Sequence, residues 1–307
     1  MKVLVTGGAG FIGSHIVDAY LQKGLEVIIF DNLSNGKKEN INPKAKFFEI
    51  DVCHPECAEI IKKEKPQIIN HHAAQVDLRQ SVTDPINDIK NNLTGLIHII
   101  EKGLKNGLQK VIFASSGGAI YGEADQIPTP ENYYNAPLSP YGINKLTCEN
   151  YLYYYHHKYG LPYVSLRYAN VFGPRQKNTG EGGVVAVFLG KILRNQQPVI
   201  NGDGKQTRDF VYVADIVEAN LLALKPEALG AYNIGTGIET NINELFILLK
   251  KITKSNFEEK HGPSVAGEQL RSSLSSLKIE KQLGWKSGTP LKLGLQLTTE
   301  WYAKHGN

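Results

Sequence analysis

Residues 2 to 6 (KVLVT) form a short run of β-formers, and apolar residues then recur at helical spacing at Phe11, Ile12, Ile16, Val17, Tyr20 and Leu21. The same alternation of short apolar runs and helical patterns continues through the first half of the chain. It predicts strands at 2–6, 26–30, 46–50, 67–71, 110–115 and 162–168, with helices near 12–23, 55–63, 84–104 and 139–159. In the third helix Ile86, Ile89, Leu93, Leu96, Ile97 and Ile100 recur at threes and fours, which predicts one buried face. Strand–helix alternation implies right-handed βαβ units and an α/β fold built on a doubly wound parallel sheet. After residue 170 the rhythm changes. Turn-rich segments (Gly173-Pro174, Gly180 to Gly183, Gly202-Asp203-Gly204) separate shorter elements. The chain therefore reads as a first domain over 1–170 and a smaller α/β lobe over 171–307. One strand near 231–235 returns to the first sheet.

The first strand and helix are joined by a turn with glycines at 7, 8, 10 and 13. The spacing Gly7-x-x-Gly10-x-x-Gly13 leaves backbone N–H groups bare at a helix N-terminus, where a pyrophosphate can approach without meeting a Cβ. A glycine triplet alone is a weak signal. Here a strand precedes it, a helix follows it, and Asp31 ends the second strand about 20 residues on. A carboxylate there accepts hydrogen bonds from the adenosine ribose and repels a 2′-phosphate. The reading favours NAD over NADP, with Lys37 and Lys38 close enough to soften that repulsion. Ligands of such Rossmann sheets bind at the carboxyl ends of the strands, where Gly7, Asp31, Asp51, Ala73 and Ser115 fall.

Composition narrows the classes. The chain has 307 residues, 41% hydrophobic and 21% charged, which suits a globular enzyme of two lobes. A net charge of +4 without a Lys/Arg-rich block gives no case for nucleic acid, and suits an anionic small molecule. No apolar run approaches the ~18 residues of a membrane span. Met1 leads directly into the first strand, so no signal peptide is expected and a cytoplasmic location is. The three cysteines, Cys53, Cys57 and Cys148, form no Cys-x-x-Cys and read as reduced bystanders. The nine histidines do not cluster at ligand spacing, so no metal site is expected.

Tyr141-Gly-Ile-Asn-Lys145 opens the fourth helix, and positions i and i+4 share a face. A tyrosine is a poor base at neutral pH, but a nearby ammonium and a nicotinamide cation both favour the phenolate. A depression of roughly three units corresponds to about 4 kcal/mol. That makes Tyr141 a usable base or acid for a hydroxyl. Tyr151 and Tyr155 share the same spacing and are assigned to packing. Ser115 and Ser116 end the fifth strand, where a hydroxyl can hold the substrate oxygen that Tyr141 addresses.

With these residues the chain resembles the extended short-chain dehydrogenase/reductases, and most closely their UDP-glucose 4-epimerase group. The resemblance spans nearly the whole chain. It rests on Gly7 to Gly13, Asp31-Asn32-Leu33-Ser34, Asp51-Val52, His72-Ala73-Ala74, Asn92, Ser115-Ser116, Tyr121-Gly122 and Tyr141 with Lys145. Further on it includes Arg167 to Pro174 and Gly202 to Asp215. It implies a bound NAD, a UDP-sugar substrate, and a transient 4-keto sugar that returns its hydride on the other face. Tyr141, Lys145 and Ser116 would be catalytic. Gly7, Gly10, Phe11, Ile12, Gly13, Asp31, Asn32, Ser34, Asp51, Val52, His72, Ala73, Ala74, Asn92, Ser115, Tyr168, Tyr141 and Lys145 would line the cofactor. Ser116, Asn170, Val184, Val185, Arg208 and Arg271 would hold the substrate. Counting back from Tyr121 places the family's catalytic Ser/Thr at Gly117 instead. The double glycine is read as a one-residue insertion and Ser116 is kept.

Dehydratases and decarboxylases of the family add acids after the Ser/Thr, whereas this chain has Gly117, Gly118 and Ala119. The remaining alternatives are a UDP-glucuronate 4-epimerase, a reductase or steroid-type dehydrogenase, and an NAD sensor without chemistry. The family's diphosphate-gripping arginine is replaced by Val265 in Val265-Ala266-Gly267-Glu268, leaving Arg271, Lys260 or His261 to compensate. A family aspartate is replaced by Ser275. The resemblance also implies a homodimer through the helices near 84–104 and 139–159. It further implies that Ser272, four residues past Glu268, borders the sugar's 2-substituent. A serine there leaves room for an N-acetyl group.

Overall fold

The computed structural model describes residues 1–178, 182–265, 267 and 269–305. The first half runs β1 (Lys2–Thr6), α1 (Phe11–Gln22), β2 (Glu26–Asp31), β3 (Lys46–Glu49), α2 (Cys57–Glu64), β4 (Ile68–His71), α3 (Leu78–Thr83), α4 (Pro85–Asp88), a π turn (Ile89–Thr94) and α5 (Gly95–Leu104). It continues with β5 (Lys110–Ser116), α6 (Gly117–Ile120), α7 (Pro140–Tyr159) and β6 (Tyr163–Tyr168). The second half has β7 (Asn170–Phe172), α8 (Val184–Leu193), β8 (Ile200–Asn201), β9 (Thr207–Arg208), β10 (Phe210–Tyr212), α9 (Val213–Ala223) and β11 (Gly230–Ile234). It ends with β12 (Thr240–Asn241), α10 (Ile242–Thr253), β13 (His261–Gly262), α11 (Leu277–Leu283) and α12 (Leu291–His305).

Seven strands form one parallel sheet in the order β11-β6-β5-β4-β1-β2-β3. The expected returning strand is β11, which pairs with β6 from Gly230↔Val164 to Ile234↔Tyr168. Successive side chains of a strand face opposite ways. Val3 and Val5 therefore join one core with Ile16, Ile216 and Trp285, while Leu4 joins the other with Ile60, Ile99 and Leu152. A third core, with Phe172, Phe188, Leu245, Phe246 and Leu295, binds α8, α10 and α12 together. Not all of the chain beyond 171 stays there, because α9 and α11 pack against the sheet in the first core.

The predicted helix over 84–104 is not continuous. Asp84 accepts the Asn87 N–H at 3.0 Å and starts α4, Pro85 takes its first position, and the π turn then inserts an extra residue per turn. That rotates the apolar stripe, so the expectation of one buried face is corrected. Leu96, Ile99 and Ile100 are buried, but Ile86 is 75% and Ile89 40% exposed. By contrast α7 follows its local signals. Ser139 Oγ accepts the Gly142 N–H at 3.1 Å, Pro140 opens the helix, and Gly160 closes it. Among the described residues no helix is long and apolar enough to cross a membrane.

Candidate active site

The carboxyl ends of β1, β2, β4, β5 and β6 converge on one edge of the sheet. The glycine turn after β1 is a cradle that side chains would fill. Gly7 has a φ of +68°, and a Cβ there would lie 2.8 Å from the Ala73 nitrogen. A Cβ on Gly13 would lie 2.2 Å from the Gly7 oxygen. The helix that follows starts at Gly10 with no side-chain cap, so its first N–H groups remain open to an anion. Asp31 is buried at the end of β2 and accepts the N–H groups of Ala9 (2.9 Å) and Leu33 (2.8 Å). Burial pushes its carboxyl upward and these two bonds oppose the shift. Asn32 Nδ2 donates to Asp51 Oδ2 at 2.8 Å, and Ser34 Oγ donates to Asn32 Oδ1 at 2.7 Å. These bonds join the β2 and β3 ends into the wall expected for adenosine. Val52 is buried, and its Cγ2 would lie 2.7 Å from a Cβ on Gly95. These observations fit a dinucleotide.

At the end of β4, His71 Nδ1 bonds Thr6 Oγ1 at 2.8 Å. His72 Nε2 bonds the Tyr168 hydroxyl at 3.1 Å, and Asn220 Nδ2 donates to the same hydroxyl at 2.8 Å. Burial first, then the Lys145 charge, holds His72 down at about 3, so the ring is neutral. Ala73 and Ala74 follow, half-buried, beside the glycine turn. Phe11 and Ile12 lie half-buried at the start of α1.

Tyr141 and Lys145 lie on the same side of α7, with the Lys145 Nζ 5.6 Å from the tyrosine ring centre. The ammonium donates to the Ala114 carbonyl at 2.9 Å and sits 4.8 Å from the Phe113 ring centre. Burial lowers Lys145 to about 8. Burial raises the Tyr141 hydroxyl, and a hydrogen bond with Ser116 opposes the rise. A donor toward the phenolic oxygen favours the phenolate. Ser115 is turned away. Its hydroxyl donates to Glu149 Oε1 at 2.5 Å, and Glu149 is paired with Arg167 through Nε (3.0 Å) and Nη2 (2.7 Å).

The expected substrate residues are more dispersed. Asn170 is exposed on β7, Val184 is half-buried at the start of α8, and Val185 is buried in the third core. The Arg208 Nη1 donates to the Thr207 carbonyl at 2.8 Å. Arg271 lines a cavity of about 390 Å³ with Val265, Lys205, Gln206 and Asn201, while its guanidinium pairs with Glu239 at 2.9 Å through Nε. His261, another expected substitute for the missing arginine, bonds Glu259 and the Gly202 carbonyl. Gly180, Ala266 and Glu268 lie outside the described residues.

Four residues of this region escape sequence reasoning: Gln75, Asp88, Asn144 and Glu149. Asp88 and Asn92 stand four apart, and Asn144 adjoins Lys145, but no spacing rule joins the two pairs. Asn92, an expected cofactor residue, has its amide engaged. Its Oδ1 accepts the Gln75 N–H at 2.8 Å, and its Nδ2 donates to the Gln75 carbonyl and Asp88, each at 3.0 Å.

Comparison with known proteins shows which chains this one is similar to. A "putative UDP-glucose 4-epimerase" of Methanocaldococcus jannaschii is 46% identical, over 97% of both chains. A UDP-glucose 4-epimerase of Thermotoga maritima, solved with UDP-glucose, superposes with a TM-score of 0.97 at 46% identity over 99% of each chain. A Thermus thermophilus UDP-glucose 4-epimerase, solved with NAD, gives a TM-score of 0.95 at 40% identity over 100% of each chain. The model of the NAD dependent epimerase/dehydratase family matches residues 3–235, a span that holds the glycine turn, Ser116, Tyr141 and Lys145, and this chain belongs to that family.

Proposed function

We propose that this protein is an NAD-using UDP-sugar 4-epimerase. The observation that carries the reading is the buried Lys145 ammonium, held by the Ala114 carbonyl and 5.6 Å from the Tyr141 ring centre, beside the end of β5 at Ser116, with no acid among the three residues after Ser116. Tyr141 takes the proton of the sugar 4-hydroxyl while Ser116 holds that oxygen. Lys145, fixed by the Ala114 carbonyl, sets a positive charge beside the phenol. Bound NAD supplies the hydride acceptor and, on the return, the hydride donor; Gly7 to Gly13 and Asp31 would hold it. The 4-keto sugar stays tethered by its diphosphate, turns, and is reduced on its other face, and Tyr141 gives the proton back. Such a turn needs a strong grip on the nucleotide and room around the sugar. The 171–307 lobe, with Asn170 at its edge, Val184, Arg208 and Arg271, is assigned to the grip. The free cysteines suit a reducing, cytoplasmic setting.

Room at the sugar is supported by Ser272. It is buried, and a Cβ on Gly118 would lie 4.0 Å from its Oγ. Ser272 therefore faces the segment that follows Ser116 with a small side chain. Purified protein without added cofactor should interconvert UDP-glucose and UDP-galactose, and also the UDP-N-acetylhexosamines, with no net change in NADH absorbance. Ser272→Tyr should suppress the N-acetyl substrates selectively. Continuous stoichiometric consumption of added cofactor would point to a reductase instead. An unchanged substrate ratio in the serine variant would remove Ser272 as the gate.

The exposed apolar residues support a homodimer. Ile86, Ile89, Ile143, Tyr151, Tyr153 and Tyr154 are all at least 37% exposed, and they lie on the α4–π turn and α7. An exposed patch of aromatic and aliphatic side chains is an interface signature. Light scattering at micromolar concentration should give twice the chain mass of 33.9 kDa. A monomer mass would refute the pairing.

A further inference from the structure

Asp88 has no part in the chemistry above, yet it is fully buried within reach of it. It ends α4, where the π turn begins, and helices with such a turn often carry function there. Its Oδ1 accepts from Gln75 Nε2 and Asn92 Nδ2, both at 3.0 Å, and its Oδ2 accepts from Asn144 Nδ2 at 2.6 Å. The three donors come from three segments: the loop behind β4, the π turn, and α7 between Tyr141 and Lys145. An ionised carboxyl only accepts, and each of these neighbours donates. Burying a carboxylate is costly even when its oxygens are satisfied.

The surrounding charges single it out. Negative charge at Asp88 or Cys148 opposes the Tyr141 phenolate and favours the Lys145 ammonium, and charge at Glu149 also favours the ammonium. At the end of β4 and just beyond it, His71 and His72 feel the Lys145 charge, and burial keeps both rings neutral. Burial pushes the Cys148 thiol up to about 12, so it carries no charge at working pH. Glu149 is spent on Arg167. Asp88 is therefore the carboxylate near the pair that no arginine neutralises.

We propose that Asp88 is a positioning residue for the Tyr141–Lys145 pair, gathering Gln75, Asn92 and Asn144 so that the loop behind β4, the π turn and the catalytic helix hold one arrangement. It also keeps a negative charge beside Lys145 that retains the ammonium. This inference rests on the reading of Tyr141 and Lys145 as the proton-transfer pair.

The test uses the full-length, NAD-bound protein and the variant Asp88→Asn, whose amide is nearly isosteric but uncharged. The Tyr141 phenolate is read by ultraviolet absorbance against pH, as the difference between proteins with Tyr141 and with Tyr141→Phe in each background. A carboxylate disfavours a neighbouring phenolate and favours a neighbouring ammonium, so removing it lowers both transitions. The phenolate midpoint should fall by about one pH unit, and the kcat profile should move to lower pH with it. At pH above 8, kcat should drop about tenfold with KM for the UDP-sugar little changed. A midpoint and profile that stay in place overturn the proposal, even where stability is lost. Should Asp88→Asn fail to fold, Asn144→Ala decides. It frees α7 from the carboxylate and should lower kcat about tenfold at unchanged NAD content; wild-type kcat and midpoint would overturn the idea. The absorbance arm needs no substrate. A shifted midpoint in a protein that epimerises nothing would count against the epimerase reading alone.

Discussion

Tyr141→Phe should lower turnover by about 100-fold or more while NAD content stays that of the parent. The substitution deletes one oxygen and keeps the ring that packs 5.6 Å beneath the Lys145 ammonium. Burial raises the Tyr141 hydroxyl, so the phenol depends on Ser116, Lys145 and the cofactor's positive charge to act as a base. None of these can move the proton itself. Lys145 is already committed to the Ala114 carbonyl, and Ser116 is a far weaker acid than a phenol. Steady-state epimerisation rates, with bound NAD counted after denaturing release, check the prediction. Near-parental turnover would show that another group carries the proton.

The second large effect concerns stability. Arg167→Leu should destabilise the fold by about 3–5 kcal/mol, because it leaves Glu149 buried without its cation. Both side chains are 7% exposed, and the pair is two-pronged, with Arg167 Nη1 also donating to the Tyr121 hydroxyl at 2.7 Å. Ser115 alone would remain on the carboxylate. A domain is held by only about 5–15 kcal/mol, so such a loss is a large share of the total. Adding Glu149→Leu should recover part of it, since an apolar pair needs no compensation. Equilibrium urea unfolding of the three proteins measures both steps. A loss below about 1 kcal/mol for the single variant would mean that water reaches Glu149. Glu149 lies one turn beyond Lys145, so the pair also anchors the helix that carries the site.

The features legible in the sequence are those written at short range. A run of β-formers, a glycine turn and a 3.6-residue apolar rhythm announce β1, the turn and α1, and each is decided within a few residues. Ser139, Pro140 and Gly160 mark both ends of α7 for the same reason. Tyr141 and Lys145 share a helix, so their common face follows from periodicity alone. The helix over 84–104 shows where that reasoning stops. Its residues keep a regular apolar spacing, but Asn92 binds Gln75 and Asp88, and a π turn results that carries Ile86 and Ile89 outward. A tertiary contact overrode the local period.

The sequence by itself determined the parallel α/β layering, the glycine turn between β1 and α1, the place of Asp31 at the end of β2 and the shared helix of Tyr141 and Lys145, because periodicity and backbone freedom act between near neighbours. Only the tertiary structure decided how the serines divide, with Ser115 bonded to Glu149 and Ser116 acting on the Tyr141 hydroxyl. It also decided that Arg271 meets Glu239 and that Asp88 collects amides from three segments. These pairings join residues from 4 to 56 positions apart in the chain. Hydrogen bonds are specific only once both partners are fixed in space. That fixing comes from the sheet order and the packing of α4 and α7, which no local pattern encodes.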